Sequence, residues 1–415
     1  MKVVKFLKFD NFNEHMMTKN TDPSISPTPF SSRLTSIDAF RALTLLLMIW
    51  VNDFWTLKGI PGWLGHAEAA EDRMGFSDVI FPAFLFIVGL SVPMAIQNRL
   101  KKGDTIFRLS KHILWRSLAL LIMGVIHVNL GSYSEEAILS KPIWQILTTV
   151  SFFLIWLDYP KGKKYSVVLQ IAGVILLIAL VGIYKGSSAQ GQVWLQPKWW
   201  GILGLIGWSY LIAGFIFLLS NGRLAIQWAA LFFLLLFNAA AQLGWLNSLS
   251  GVKEYVWIVG DGSMPALVMA GVITSLYYVN ADQKRFWMFA VVFAAATIAL
   301  GFSIRPWFDI SKIRATPSWV TICIGISVMC FAILAYITDI KGKRGWYNLI
   351  KPAGVSTLTC FLLPYIHSAI LQMTTVRLPL ELRTGIIGLG KSFVFALIII
   401  GIVWVLQKWR MRLKL

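Results

Sequence analysis

The residues best equipped for chemistry crowd into one loop. Two apolar runs, Ile37–Val51 and Val79–Ile96, flank a segment holding Asn52, Asp53, His66, Glu68, Glu71, Asp72, Arg73 and Asp78. An apolar helix needs no such loop to cross lipid, so these groups are the first place to look for proton handling. A histidine side chain changes charge close to neutral pH and can take a proton from an incoming nucleophile. His66 is therefore the leading candidate base, with Asn52, Asp53 and Asp78 near it. Asp78 follows Ser77 at the head of an apolar run, where a carboxylate caps a helix and suits its dipole. The same carboxylate can orient an imidazole.

Other polar groups lie within or beside apolar segments. Asp38 and Arg41 are three residues apart, on one face of a helix. They read either as a structural ion pair or as an anion site with Arg41 as its fork. Arg116 sits near the cytoplasmic end of its segment, where its stem can snorkel. His127, with Asn129, and His367 read as ordinary interfacial polar residues. Cys323, Cys330 and Cys360 all fall in apolar segments and are odd in number, so they read as buried thiols rather than a disulfide framework or metal site. No zinc spacing, phosphate loop or nucleophile elbow is present in the sequence.

The elements that position these groups are membrane helices. The chain is 57% hydrophobic and 14% charged, with mean hydropathy +0.68, whereas a soluble chain carries about 25% charged residues. Apolar segments of membrane length recur throughout, and strand-like alternation is absent. The pattern predicts an all-α, polytopic transmembrane bundle of about twelve helices, at roughly 37–51, 79–97, 113–130, 142–157, 166–183, 201–219, 225–242, 264–280, 287–304, 318–338, 352–373 and 385–406. The first and fourth are short and need flanking residues to span. Residues 1–34 read as a disordered cytoplasmic tail, with Met16 or Met17 as alternative starts, and residues 35–415 as one transmembrane domain. The net charge of +19 belongs to short basic loops on alternate sides, as the positive-inside rule requires, and not to nucleic-acid binding. Lys101, Lys102, Lys163, Lys341, Arg344 and Arg412 mark the cytoplasmic side, so both termini are inside and the His66 loop faces outward. Pro82 suits a first turn, while Pro93 lies deeper and predicts a kink that opens ligand space. No internal repeat supports an inverted-repeat transporter.

A set of motifs then carries a resemblance. Ser36-Ile-Asp38-Ala-Phe-Arg41-Ala-Leu-Thr and Leu47-Met-Ile-Trp-Val-Asn52 are followed by Pro61-Gly-Trp-Leu-Gly-His66-Ala and Ser77-Asp78-Val-Ile-Phe-Pro82-Ala-Phe-Leu-Phe-Ile-Val-Gly89. Looser matches are Asp339-Ile-Lys-Gly342 and Pro352–Ser356. In order and spacing this set resembles the heparan-α-glucosaminide N-acetyltransferase family of transmembrane acyltransferases, over about half of the chain. The resemblance implies a bacterial-type homologue in the inner membrane. It would take acetyl from cytosolic acetyl-CoA to a glucosamine-like sugar or glycan outside, with His66 as base or acetyl carrier, Asn52 as oxyanion donor and Asp78 beside the imidazole. Asp38, Arg41 and Arg116 would serve the CoA phosphates. No metal is implied; membrane lipids and a homodimer are the partners expected besides the substrates. Departures from the family pattern are Ala42 after Arg41, Ile146 after Gln145, and the loop Glu68–Gly75 in place of Trp-x-Gly; the 201–242 helix pair reads as an addition to the core. The alternatives are O-acetylation of a cell-envelope glycan or, in another class, a transporter.

Overall fold

The computed structural model describes residues 34–160, 162–189, 191–253, 258–374 and 378–415. The readings of residues 1–33 as a disordered tail, and of Met16 or Met17 as starts, lie outside the described residues. Twelve helices of sixteen or more residues appear among the described residues: α1 (Thr35–Asn52), α2 (Ser77–Lys101), α3 (Ile106–Asn129), α4 (Lys141–Trp156), α5 (Lys164–Gly182), α6 (Ile202–Leu219), α7 (Leu224–Gln242), α8 (Ser263–Asn280), α9 (Gln283–Phe308), α10 (Pro317–Ala335), α11 (Thr357–Thr374) and α12 (Gly385–Lys408). Nine helices among the described residues are long and apolar enough to cross a membrane. The protein is an all-α, integral, multi-pass membrane bundle.

The departures from the expected elements have local causes. The eleventh segment is not one helix but two, a five-residue helical turn, Lys351–Val355, and α11, parted at Ser356. Gln407 of α12 donates to the Pro352 carbonyl at 2.9 Å and to Ser356 Oγ at 2.8 Å, so polar groups at the break find partners inside the bundle. A two-stranded hairpin, β1 (Gly186–Ser188) with β2 (Gly191–Val193), interrupts the loop before α6. Helix α2 runs through both Pro82 and Pro93 as a single element. Cys330 is exposed, unlike Cys323 and Cys360, so the reading of three buried thiols holds for two.

Burial ranks the helices. Eleven of the eighteen residues of α1 are buried, but only Ser166, Gly173, Leu177 and Leu180 in α5. Helix α1 is thus the axis of the bundle, packed on α2, α10, α11, α12 and the Lys351–Val355 turn, while α5 offers its apolar surface to lipid. Without a hydrophobic force between helices in lipid, small residues must allow close packing. The sharpest case is α2 on α8: a Cβ on Gly89 would lie 1.9 Å from the Val268 carbonyl oxygen, and one on Gly271 would lie 2.0 Å from that of Phe86.

Long-range polar contacts fix which loops share a face. The Ser36 N–H donates to Asp339 Oδ1 at 3.2 Å, and Arg412 pairs with Asp158 at 2.8 Å. The start of α1, the loop after α4, the loop after α10 and the C-terminal tail therefore lie together. On the opposite face, Lys58 N–H donates to the Arg383 carbonyl at 2.8 Å and Arg305 meets Asp72 at 2.8 Å. The Gly89–Gly271 crossing gives a first prediction. Gly89→Leu should drive α2 and α8 apart at a cost of about 1–3 kcal/mol or more, and a fluorescence-detected size-exclusion profile should lose its monodisperse peak.

Candidate active site

The loop between α1 and α2 folds back on itself to seat a histidine. Phe76 N–H donates to the Trp63 carbonyl at 2.7 Å, and the Ser77 hydroxyl donates to that of Leu64 at 2.6 Å. Gly75 allows this crossing, since a Cβ there would sit 1.9 Å from the Gly65 carbonyl oxygen. Folded this way, residue 66 arrives at the first turn of α2. Asp78, with a side chain 1% exposed, accepts from the backbone N–H of Ala67 at 3.0 Å and of Gly75 at 2.9 Å through Oδ2. Its Oδ1 lies 2.6 Å from His66 Nδ1. Two heteroatoms at that separation share a proton, and a carboxylate brings none, so the proton belongs to Nδ1. The lone pair of a neutral ring is then on Nε2, and His66 lines a cavity of about 740 Å³.

A lysine completes the group. Lys312, in the loop between α9 and α10, brings Nζ to 3.1 Å from His66 Nδ1 and 3.7 Å from Asp78 Oδ1. Burial pushes its pKa below the ordinary lysine value, against the opposing pull of Asp78. Lys312 did not emerge from the sequence as a site residue. The available signal was its position: a lysine in a loop expected to face outward runs against the basic-inside pattern.

The rest of the loop's charge does other work. Asp53 accepts from Lys391 Nζ and Ser392 Oγ, each at 2.5 Å, so it tethers α1 to α12 and is not part of the histidine cluster. Glu71 pairs with Arg73 at 2.8 Å and accepts from the Glu68 N–H at the surface. Asp72 is a clamp: it accepts from Arg305 Nε at 2.8 Å and from the Ile310 N–H at 2.6 Å. This fixes the His66 loop to the loop that carries Lys312.

The same cavity takes in Asn52 at the end of α1, Trp199 and Trp200 before α6, and Lys253 and Asp261 near α8. A second cavity of about 370 Å³ lies toward the other end of the same helices and is lined by Arg41, Ser91, Arg116, Tyr210 and Lys414. Arg41 donates to Ser91 Oγ at 2.7 Å, to Asp38 Oδ1 at 3.2 Å and to the Gly354 carbonyl at 3.3 Å. Asp38 is not in the wall; it holds the guanidinium that is. The Arg116 guanidinium lies 4.7 Å from the centre of the Tyr210 ring, and its buried Nε has no hydrogen-bond partner. Met48 lines both cavities. Arg41, Met48 and Asn52 follow one another at seven and four residues along one face of α1, so the helix runs from one cavity to the other with Met48 between.

Of the six residues singled out from sequence, the structure groups His66 with Asp78 directly, adds Asn52 through the shared cavity, and gathers Arg41 and Arg116 at the other cavity with Asp38 behind Arg41. Helix α6 supplies Ile202 and Leu205 to the first cavity and Leu203, Ile206 and Tyr210 to the second. The first helix of the pair expected to be an addition is thus built into the walls, while α7 lines neither cavity. His127 departs from the interfacial reading: it is 8% exposed, with both ring nitrogens unpartnered. His367 packs beside Phe395, ring centres 4.5 Å apart.

The Asp72 clamp yields a prediction with a pH sign. Burial pushes the Asp72 carboxyl up, but the Ile310 N–H and Arg305 outweigh it and hold its pKa below the ordinary 3.8. A depressed carboxyl stabilises the fold fully above the unfolded value and loses that contribution as pH falls through the folded one. The clamp should therefore hold at neutral pH and loosen only below about pH 4. Asp72→Asn should lower activity roughly tenfold by misplacing the loop, while the melting temperature moves little, because a pair this exposed is worth about 0–1 kcal/mol. A large fall in melting temperature with activity per folded molecule intact would contradict this assignment.

Comparison with known proteins bears on the same stretch. A family described as a domain of unknown function (DUF5009) matches residues 33–258, more than half of the 415-residue chain and including α6 and α7. The chain is also 33% identical over 131 residues to the heparan-alpha-glucosaminide N-acetyltransferase of Homo sapiens, covering 30% of this chain and 18% of that protein. With the Mus musculus protein of the same name it is 32% identical over 137 residues, covering 31% and 20%. The matched stretch spans about a fifth of the length of these relatives. The chain belongs to the DUF5009 family, and it shares close to a third of its length with the heparan-α-glucosaminide N-acetyltransferases that its motifs resemble.

Proposed function

We propose that this protein transfers an acetyl group across the membrane, from cytosolic acetyl-CoA to the amine of an amino sugar or related glycan on the outer side. The observation that carries this reading is the pair of cavities meeting at Met48, one with the His66–Asp78–Lys312 group and the other with Arg41 and Arg116. Acetyl-CoA is large and anionic and cannot enter lipid, whereas its acetyl group is small. Arginines suit phosphate at the inner cavity because each guanidinium offers a planar fork of donors. The basic loops at 98–112 and 339–351 support a cytoplasmic location for that end.

The chemistry follows from the His66 tautomer. With its proton on Nδ1, the imidazole presents a lone pair at Nε2. In direct transfer the acceptor amine attacks the thioester carbonyl, Nε2 takes the proton the amine sheds, the carbon–sulfur bond breaks, and the imidazolium returns the proton to the leaving thiolate. In the two-step route Nε2 attacks first and CoA leaves as thiolate; the amine then attacks the acetyl carbon, the bond to Nε2 breaks to return neutral imidazole, and the proton the amine sheds goes to the thiolate. Either way the carbonyl oxygen gains negative charge, for which the Asn52 amide is a donor in the same cavity. Asp78 stabilises the imidazolium, and Lys312 balances Asp78 while the ring is neutral.

Purified protein in detergent should therefore hydrolyse or transfer acetyl from acetyl-CoA. His66→Ala should lower the rate by about 10²–10⁴-fold while CoA binding persists, and Asn52→Ala by about 10²–10³-fold. Transfer to an amino sugar at the parental rate by His66→Ala would end the assignment. Sidedness has its own check: in intact cells an impermeant thiol reagent should reach a cysteine placed at Gly65 and miss one placed at Lys102. Labelling of both would remove the transmembrane step.

A further inference from the structure

Among the polar groups outside this mechanism stands His127, near the end of α3. Its ring is 8% exposed, stacks on Tyr365 with centres 3.9 Å apart, and meets Phe152 edge-on at 5.3 Å. Neither ring nitrogen has a hydrogen-bond partner. A neutral imidazole carries one donor and one acceptor, and burying both unmet is costly. The ring lines a cavity of about 230 Å³ whose walls are otherwise mostly apolar or aromatic. Water settles poorly there, because it needs two or more polar partners. A lipid tail would fill the volume and satisfy neither nitrogen.

The position of the cavity narrows the occupant. It shares Trp200 with the His66 cavity and Leu203 and Phe361 with the Arg41–Arg116 cavity. Arg116 and His127 stand on the same helix, 11 residues apart. At 100° per residue that spacing returns to the same face, and at 1.5 Å per residue it spans roughly 16 Å. A ligand with an anion at Arg116 and a chain rising along α3 would meet His127 three turns later. A secondary amide in that chain offers both an N–H and a carbonyl oxygen, the two partners the imidazole lacks.

We infer that His127 is a donor-binding residue that hydrogen-bonds an amide of the pantetheine arm of CoA. This rests on the proposed function, which supplies CoA as the ligand. The arm would lie along α3, its phosphates at Arg116 and its amide at His127, with the thioester carried on toward His66.

Calorimetry on the full-length protein in detergent tests this with two probes. Coenzyme A carries the arm; adenosine 3′,5′-bisphosphate keeps a phosphorylated nucleotide and lacks it. His127→Phe keeps the aromatic stack and removes both polar atoms. It should weaken CoA binding roughly 5- to 30-fold, the loss of one or two hydrogen bonds, and leave the bisphosphate affinity unchanged. His127→Asn, which keeps a donor and an acceptor, should recover part of the CoA affinity and serves as the sole arm should the Phe variant not fold, then weakening CoA less than His127→Ala does. Unchanged CoA affinity in His127→Phe would overturn the inference, and so would equal losses for both probes. A parental protein that binds neither probe would overturn the acetyl-CoA reading itself.

Discussion

One carboxylate at the head of α2 governs the arrangement of the candidate site. Asp78 is almost wholly removed from solvent, and a buried charge is tolerable only when its oxygens are met. Backbone N–H groups of Ala67 and Gly75 meet one oxygen and the His66 ring meets the other, so the loop must cross itself between residues 63–65 and 75–77. Its backbone carbonyl is taken as well, by the indole N–H of the fully buried Trp319 at 3.2 Å. That contact registers α2 against α10 and sets Lys312, just before α10, beside the imidazole. Loop closure and imidazole orientation are one set of hydrogen bonds, and the capping expected of Asp78 does not occur: Phe76 holds the N-cap position without a side-chain cap, and Asp78 is a first-turn acid whose oxygens serve the loop.

The second constraint is the close packing of the bundle. Contacts such as Gly89 on Gly271 bring backbones together in one place, and volume left between helices elsewhere becomes cavity. The helices with most apolar residues facing outward, α5, α7 and α9, shield this interior from lipid. Helix α1 has two roles: its buried residues hold five neighbours together, and the stripe of Arg41, Met48 and Asn52 faces the cavities. Asp339 fixes its lower end through the Ser36 N–H, and Asp53 with Lys391 fixes its upper end. A helix held at both ends keeps Arg41 and Asn52 at a constant separation, which a reaction divided between two compartments would require.

Hydropathy made most of the fold legible, because lipid imposes length and apolarity on every spanning helix, and each of the twelve segments has its counterpart. Ser356 was missed because its break is stabilised by Gln407, on another helix. The site was half legible. His66 and Asp78 stand twelve residues apart, with Asp78 legible as a first-turn acid at the head of an apolar run, so local reasoning sufficed. Lys312 meets His66 across 246 residues and Arg305 meets Asp72 across 233, and no local pattern encodes such pairs. Asp53 looked like a member of the cluster because it is close in sequence; its partners are more than 330 residues away. His127 looked interfacial from its place near a helix end, but the aromatic residues that enclose it come from α4 and α11.

Electrostatics supports dividing the chemistry as proposed. Arginines stay charged under all relevant conditions, so they hold anions steadily, and Arg41 and Arg116 occupy the cavity away from the imidazole. In the proposed transfer His66 is the group that moves a proton, and it lies in the other cavity. Asp78 Oδ1 at 2.6 Å and Lys312 Nζ at 3.1 Å both face the Nδ1 edge of His66, which leaves the Nε2 edge to the cavity. Between these ends the shared wall at Met48 is apolar, so in the proposed transfer no fixed charge on that residue would trap a neutral acetyl thioester between the arginine cavity and the histidine.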